Sequence, residues 1–168
     1  FFTDYTQFLD RTGLRGARIG IARQIYTGYS PKVDVAFNAA VERMRELGAV
    51  IVDPADIPTA KQMAESQNEQ TVLLFELKAG LNAYLADLAD SPVRTLADVI
   101  AFNEAHAGEE LPYFGHEHFV QSEATSSLDD PAYLAALEEN QRQARQGGID
   151  AVTVSYTHLR AHETGRNL

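Results

Sequence analysis

Ser126 and Ser127 form the one adjacent serine pair in the chain, and they are the first place to look for a nucleophile. Acyl transfer needs such a hydroxyl, a base within hydrogen-bond reach and donors for the oxyanion. Around the pair stand Glu123 and Leu128, with no glycine-rich turn to bring backbone N–H groups to a substrate, so Thr125-Ser126-Ser127 reads as a helix end or loop. Lys32, Lys61 and Lys78 are the only lysines; none has a serine at a suggestive local spacing, and each reads as surface charge. His116-Glu117-His118 suggests a metal, but residues two apart on a helix point to nearly opposite sides and cannot share one ion. Adding His106 as a third ligand does not repair that geometry, and no metal is expected. Gly13-Leu14-Arg15-Gly16 with Gly20 precedes or lies within a predicted strand, so it does not match a dinucleotide fingerprint opening a helix. The residues alone therefore give no catalytic constellation.

The elements that would carry these residues follow from spacing. Ala17–Arg23 alternates small apolar and polar positions after a glycine turn, which predicts a strand. Ser30-Pro31 supplies an N-cap and a first-position proline, and Phe37, Ala40, Val41, Met44 and Leu47 recur at helical spacing up to Gly48, a residue suited to a left-handed C-terminal cap. Ala49–Asp53 is β-branched and closed by Pro54, which predicts a buried strand and completes a β-α-β unit. If its strands are parallel, the crossover is right-handed. A helix is predicted over 68–89, weakened at Gly80 by ~1 kcal/mol relative to alanine. Thr95-Leu96-Ala97-Asp98 reads as a cap before a helix to about Ala107. Two more helices are predicted over 116–124 and from Asp130-Pro131 to about Gln146, with a stop at Gly147-Gly148 and a last strand over Ile149–Val154. The expected fold class is α/β, one layer interrupted by a mostly helical insertion.

Composition narrows the function classes. The chain has 168 residues, 45% hydrophobic and 23% charged, which suits a single globular domain rather than a disordered or fibrous one. With 24 acidic residues against 14 basic, the net charge of −10 opposes a nucleic-acid partner. The absence of cysteine removes disulfides, Cys-ligated zinc and thiol catalysis, and it fits the cytoplasm, which is the expected location. No apolar run approaches the ~20 residues needed to span a bilayer, and no membrane association is expected.

Residues 154–164, Val-Ser-Tyr-Thr-His-Leu-Arg-Ala-His-Glu-Thr, closely resemble a translated sequencing-library adapter of the kind found at the ends of metagenomic reading frames. The segment 154–168 is accordingly expected to be a non-native tail following a partial domain over 1–153. His158, His162 and Glu163 would mimic a metal site on a helix, and inside such a tail they are expected to hold no ligand.

Several stretches, in order, resemble the second half of amidase-signature hydrolases. They are Asp4-Tyr5-Thr6 through Phe8-Leu9-Asp10, Gly13 to Gly20, Leu47-Gly48-Ala49-Val50-Ile51-Val52-Asp53, Ala101-Phe102-Asn103-Glu104-Ala105-His106 with Pro112-Tyr113-Phe114-Gly115, Asp129 to Tyr133, and Gly147-Gly148-Ile149-Asp150-Ala151. The resemblance implies a mixed sheet flanked by helices and cofactor-independent hydrolysis of a small-molecule amide. It also implies a Ser, a second Ser in a cis peptide and a Lys, on the Ser/Lys variant of triad logic. No position here matches that motif, so no catalytic residue is carried over, and the set is expected to lie ahead of Phe1. The resemblance makes Tyr113, Phe114 and Glu117 the candidates for lining an acyl-binding pocket. It leaves two other readings open: a non-catalytic α/β binding module, and part of a glutamine-dependent amidotransferase subunit.

Overall fold

The computed structural model describes residues 4–156, so the predicted tail beyond Tyr156, with His158, His162 and Glu163, lies outside the described residues. The chain forms two compact units. Among the described residues, one joins 4–64 to 143–156, and the other is Glu65–Arg142.

In the first unit, a 3-10 turn at Thr6–Phe8 leads to β1 (Arg18–Gly20), α1 (Pro31–Glu46), β2 (Val50–Val52) and α2 (Ala60–Glu65). β1 and β2 pair in parallel, with Arg18 opposite Val50, Ile19 opposite Ile51 and Gly20 opposite Val52. The ladder continues past both strands, where Val50 donates to the Ala17 carbonyl at 2.8 Å and Ile21 to that of Val52 at 2.9 Å.

The link from α1 to β2 is fixed by Gly48, whose φ of 94° is open to glycine and strained for other residues. Its N–H donates to the Arg45 carbonyl at 3.0 Å, and the next N–H, of Ala49, donates back to Met44 at 3.1 Å. That pair of bonds is a Schellman termination, which satisfies carbonyls the helix end would otherwise leave open. Chain direction reverses there, so the following residues enter β2 beside β1. The buried apolar residues of this unit include Ile21, Val41, Ala49, Ala55 and Ala60.

The second unit is helical: α3 (Asn68–Ala86), α4 (Leu96–Ala105), a short α5 (Ala107–Glu110), α6 (Glu117–Glu123) and α7 (Pro131–Ala144), with α3, α4 and α6 packed on one another. Thr95 and Asp98 form the capping box their spacing suggests: the Thr95 hydroxyl accepts from the Asp98 N–H at 3.2 Å, and the Asp98 carboxylate accepts from the Thr95 N–H at 3.0 Å. A third N–H of that helix start, on Leu96, donates to Asn82 Oδ1 of α3 at 2.7 Å. Leu96 itself is fully buried, a contribution of about 1.5–3 kcal/mol. Tyr133 of α7 stacks toward Phe75 of α3 at 5.6 Å between ring centroids and donates its hydroxyl to Glu76 at 2.9 Å, which holds its pKa above the ordinary tyrosine value.

One predicted element is replaced. The expected stop at Gly147-Gly148 and strand over Ile149–Val154 are instead a π-helical turn at Arg145–Ile149 and a helix over 150–156. Two physical facts account for this. A Cβ at Gly148 would collide with the Gln143 carbonyl, so glycine here admits the wide turn instead of ending the helix. Ile149, Val152, Thr153 and Tyr156 also recur at i, i+3, i+4 and i+7, so the segment that alternates as a strand equally presents one helical face. The hydroxyls of Thr153 and Ser155 donate to the Ile149 and Ala151 carbonyls, both at 2.8 Å, as helical back-bonds.

Candidate functional site

Tyr113 and Phe114 lie on the turn between α5 and α6, 88% and 85% exposed, packed into neither a cavity nor a helix junction. Glu117 opens α6, also exposed, and its carboxylate folds over Gly115, where a Cβ would collide with it. The three candidates for a substrate wall therefore share one turn of the helical unit and present two aromatic faces and a carboxylate to solvent.

The described histidines separate. His106 stacks on Phe102 at 4.2 Å and its ring Nδ1 lies 2.9 Å from the Phe102 carbonyl. His116 Nδ1 lies 3.4 Å from Asn103 and its Nε2 is 4.0 Å from Glu104, whereas His118 meets Gln70 at 3.2 Å. Among the described residues no three His, Asp or Glu side chains gather where they could hold a metal ion.

Ser126 donates its hydroxyl to Asp130 Oδ2 at 2.5 Å, while the other Asp130 oxygen accepts from the Ala132 N–H at 2.8 Å. Asp130 is thus engaged at the start of α7. The hydrogen bond from Ser126, followed by that from Ala132, holds its carboxyl below the ordinary range. A carboxylate so stabilised is a poor base, and the pair lacks the means to activate a nucleophile. Ser127 accepts from the Asp129 N–H at 3.3 Å in the same loop.

Lys78 departs from the expectation of surface charge. It is about three-quarters buried, and its ammonium donates to the carbonyls of Glu123 at 2.7 Å and Thr125 at 2.9 Å, at the C-terminal end of α6. A cation there complements open carbonyls and the helix dipole.

Two features of the first unit escaped the sequence reading. Just beyond the C-terminal ends of the parallel strands, the Arg23 guanidinium holds both oxygens of Asp53 at 2.6 Å and reaches Asn38 at 3.0 Å. The backbone N–H groups of Arg23 and Gln24 converge on Asp56 at 2.6 and 2.7 Å. The hydrogen bond between them lowers the Asp53 pKa and raises that of Arg23. No local motif announces this node, since Asp53 and Asp56 lie 30 or more positions from the residues they bind. The second feature is a cavity of about 340 Å³ between one face of the strands, carrying Arg18, Gly20, Ala22 and Val52, and the helical face of Ile149, Val152, Thr153 and Tyr156.

Comparison with known proteins shows what this arrangement is similar to. The chain is 43% identical to a peptide amidase solved with the competitive inhibitor chymostatin, superposing with a TM-score of 0.78 over 92% of this chain and 31% of that one. By sequence and by fold it is similar to amidases. The native peptide amidase of Stenotrophomonas maltophilia matches similarly, at 41% identity and a TM-score of 0.77, over 92% of this chain and 31% of that one. A probable amidase of Arabidopsis thaliana is 36% identical over 85% of this chain and 27% of its own length. The chain thus spans less than a third of these amidase relatives. No family model matches it.

Proposed function

We propose that this chain contributes to an enzyme that hydrolyses the C–N bond of a carboxylic amide, adding water to give the carboxylic acid and ammonia. In this reading a Ser, cis-Ser and Lys set supplied by polypeptide outside these residues performs the attack. The observation that carries the proposal is the 43% identity, held over 92% of the chain, to a peptide amidase. The disposition of Ser126, Lys78 and His106 supports it, because each is occupied in holding a helix end or turn and none is paired for nucleophilic attack.

Within that enzyme, Tyr113, Phe114 and Glu117 are assigned to the wall that receives the acyl side of the substrate. Two adjacent aromatic side chains with most of their surface exposed supply apolar contact area that nothing in their own unit uses. A peptide amide is the favoured substrate class.

A chimera tests this. Residues 4–156 replace the aligned stretch of the Stenotrophomonas peptide amidase, and ammonia release from a peptide amide is measured. The chimera is expected to be active, and Tyr113→Ala with Phe114→Ala in it to raise KM about tenfold or more with kcat less affected. A folded chimera that releases no ammonia contradicts the hydrolase reading and leaves a non-catalytic binding module in its place.

A further inference from the structure

The cavity of about 340 Å³ in the first unit lies within the range of small-molecule sites, and its walls are largely apolar: Val52, Ala55, Ile57 and Val152 supply much of the lining. Among the described residues no acidic side chain lines it, although the chain carries a net charge of −10. Arg18 is the cationic group among the described residues that line it, and it stands exposed at the start of β1. The other polar groups are already directed elsewhere, since the Tyr156 hydroxyl donates to the Pro54 carbonyl and that of Thr153 to Ile149, both at 2.8 Å. Such a site offers an apolar body a dry wall and an anion one guanidinium, whose paired N–H groups match a carboxylate.

We propose that this cavity binds a small monocarboxylate with an aryl or branched alkyl body, its carboxylate on Arg18 and its apolar end between Val52 and Val152. The site is distinct from the Tyr113–Phe114 turn, which belongs to the other unit, and the proposal stands or falls independently of the hydrolase reading. A neutral ligand of the same shape would forgo the charge-assisted hydrogen bonds. A carboxylate without the apolar body would forgo the burial.

Calorimetric titration of the 168-residue chain with phenylacetate, phenylacetamide and acetate tests it. Phenylacetate is expected to bind saturably, and the other two at least about tenfold more weakly. Arg18→Gln is expected to weaken phenylacetate by about tenfold or more, and Arg18→Lys by less, because the charge remains while the fork is lost. Val152→Trp, which fills the cavity, is expected to abolish binding; the Arg18 variants, altered at an exposed position, read the site even if that larger change impairs folding. Equal affinity for the acid and its amide, undiminished binding in Arg18→Gln, or no saturable binding of phenylacetate would each overturn the proposal.

Discussion

Arg23 and Asp53 stand 30 positions apart in the chain, and the bidentate ion pair that joins them closes the loop after β1 onto the end of β2. Asp53 has a pKa below its ordinary value because it accepts the Arg23 hydrogen bonds. A carboxyl depressed in the folded state stabilises above its unfolded pKa, and that contribution is lost as pH falls through the folded one. Asp53→Asn is therefore expected to lower the urea midpoint at neutral pH, with the gap to the parent chain closing as the pH is brought down through the acidic range. A gap that stays constant or widens on acidification would remove the ionic account of this pair. Because both side chains are partly exposed, salt should weaken the effect as well.

Two positions of the helical unit test packing rather than charge. Gly80 lies inside α3, exposed, with nothing within 4 Å of the position a Cβ would take. Gly80→Ala should stabilise that unit by ~1 kcal/mol, read as an increase in the denaturant midpoint. Ser122 of α6 is fully buried, and its hydroxyl has no hydrogen-bond partner within the structure. Removing a buried unpaired group relieves a desolvation cost of about 1–3 kcal/mol, so Ser122→Ala should leave stability equal or higher. A marked loss of stability would show that the hydroxyl is satisfied in solution.

At the level of helices and strands, the turn at Gly48 decides whether α1 and β2 can be joined at all. Gly48→Ala places a Cβ at a φ of 94° and 3.3 Å from the Arg15 Cα, so it should destabilise by about 1–2 kcal/mol or more, measured by thermal or urea unfolding. This turn was readable in advance because helix periodicity ended at Leu47 and a glycine followed. The capping box at Thr95 and Asp98 was readable for the same reason: local side-chain chemistry and local backbone agree there. The short helices Ala60–Glu65 and Ala107–Glu110 carry too little apolar periodicity to announce themselves. The segment 149–156 was misread because β-branched alternation and helical spacing coexist in it, and the wide turn that Gly148 admits carries the helix into it where a stop was expected. Arg23, Asp53 and Asp56 were invisible as a group for a related reason, since only the parallel pairing of β1 and β2 brings their segments together.

Seen whole, the molecule pairs a small parallel β unit with a helical unit, and both fall within a stretch that covers under a third of the amidases it resembles. Ser126 and Lys78, two described side chains of the kind that attack a carbonyl or activate the attack, are instead engaged in holding this architecture. Ser126 is bound to a carboxylate of low basicity, and Lys78 closes a helix end. Ammonia release from a peptide amide by the purified 168-residue chain, freed of contaminating hydrolases, tests this most directly. No release above buffer is predicted, whereas turnover that scales with the concentration of the chain would contradict the assignment of the attacking groups to polypeptide beyond it.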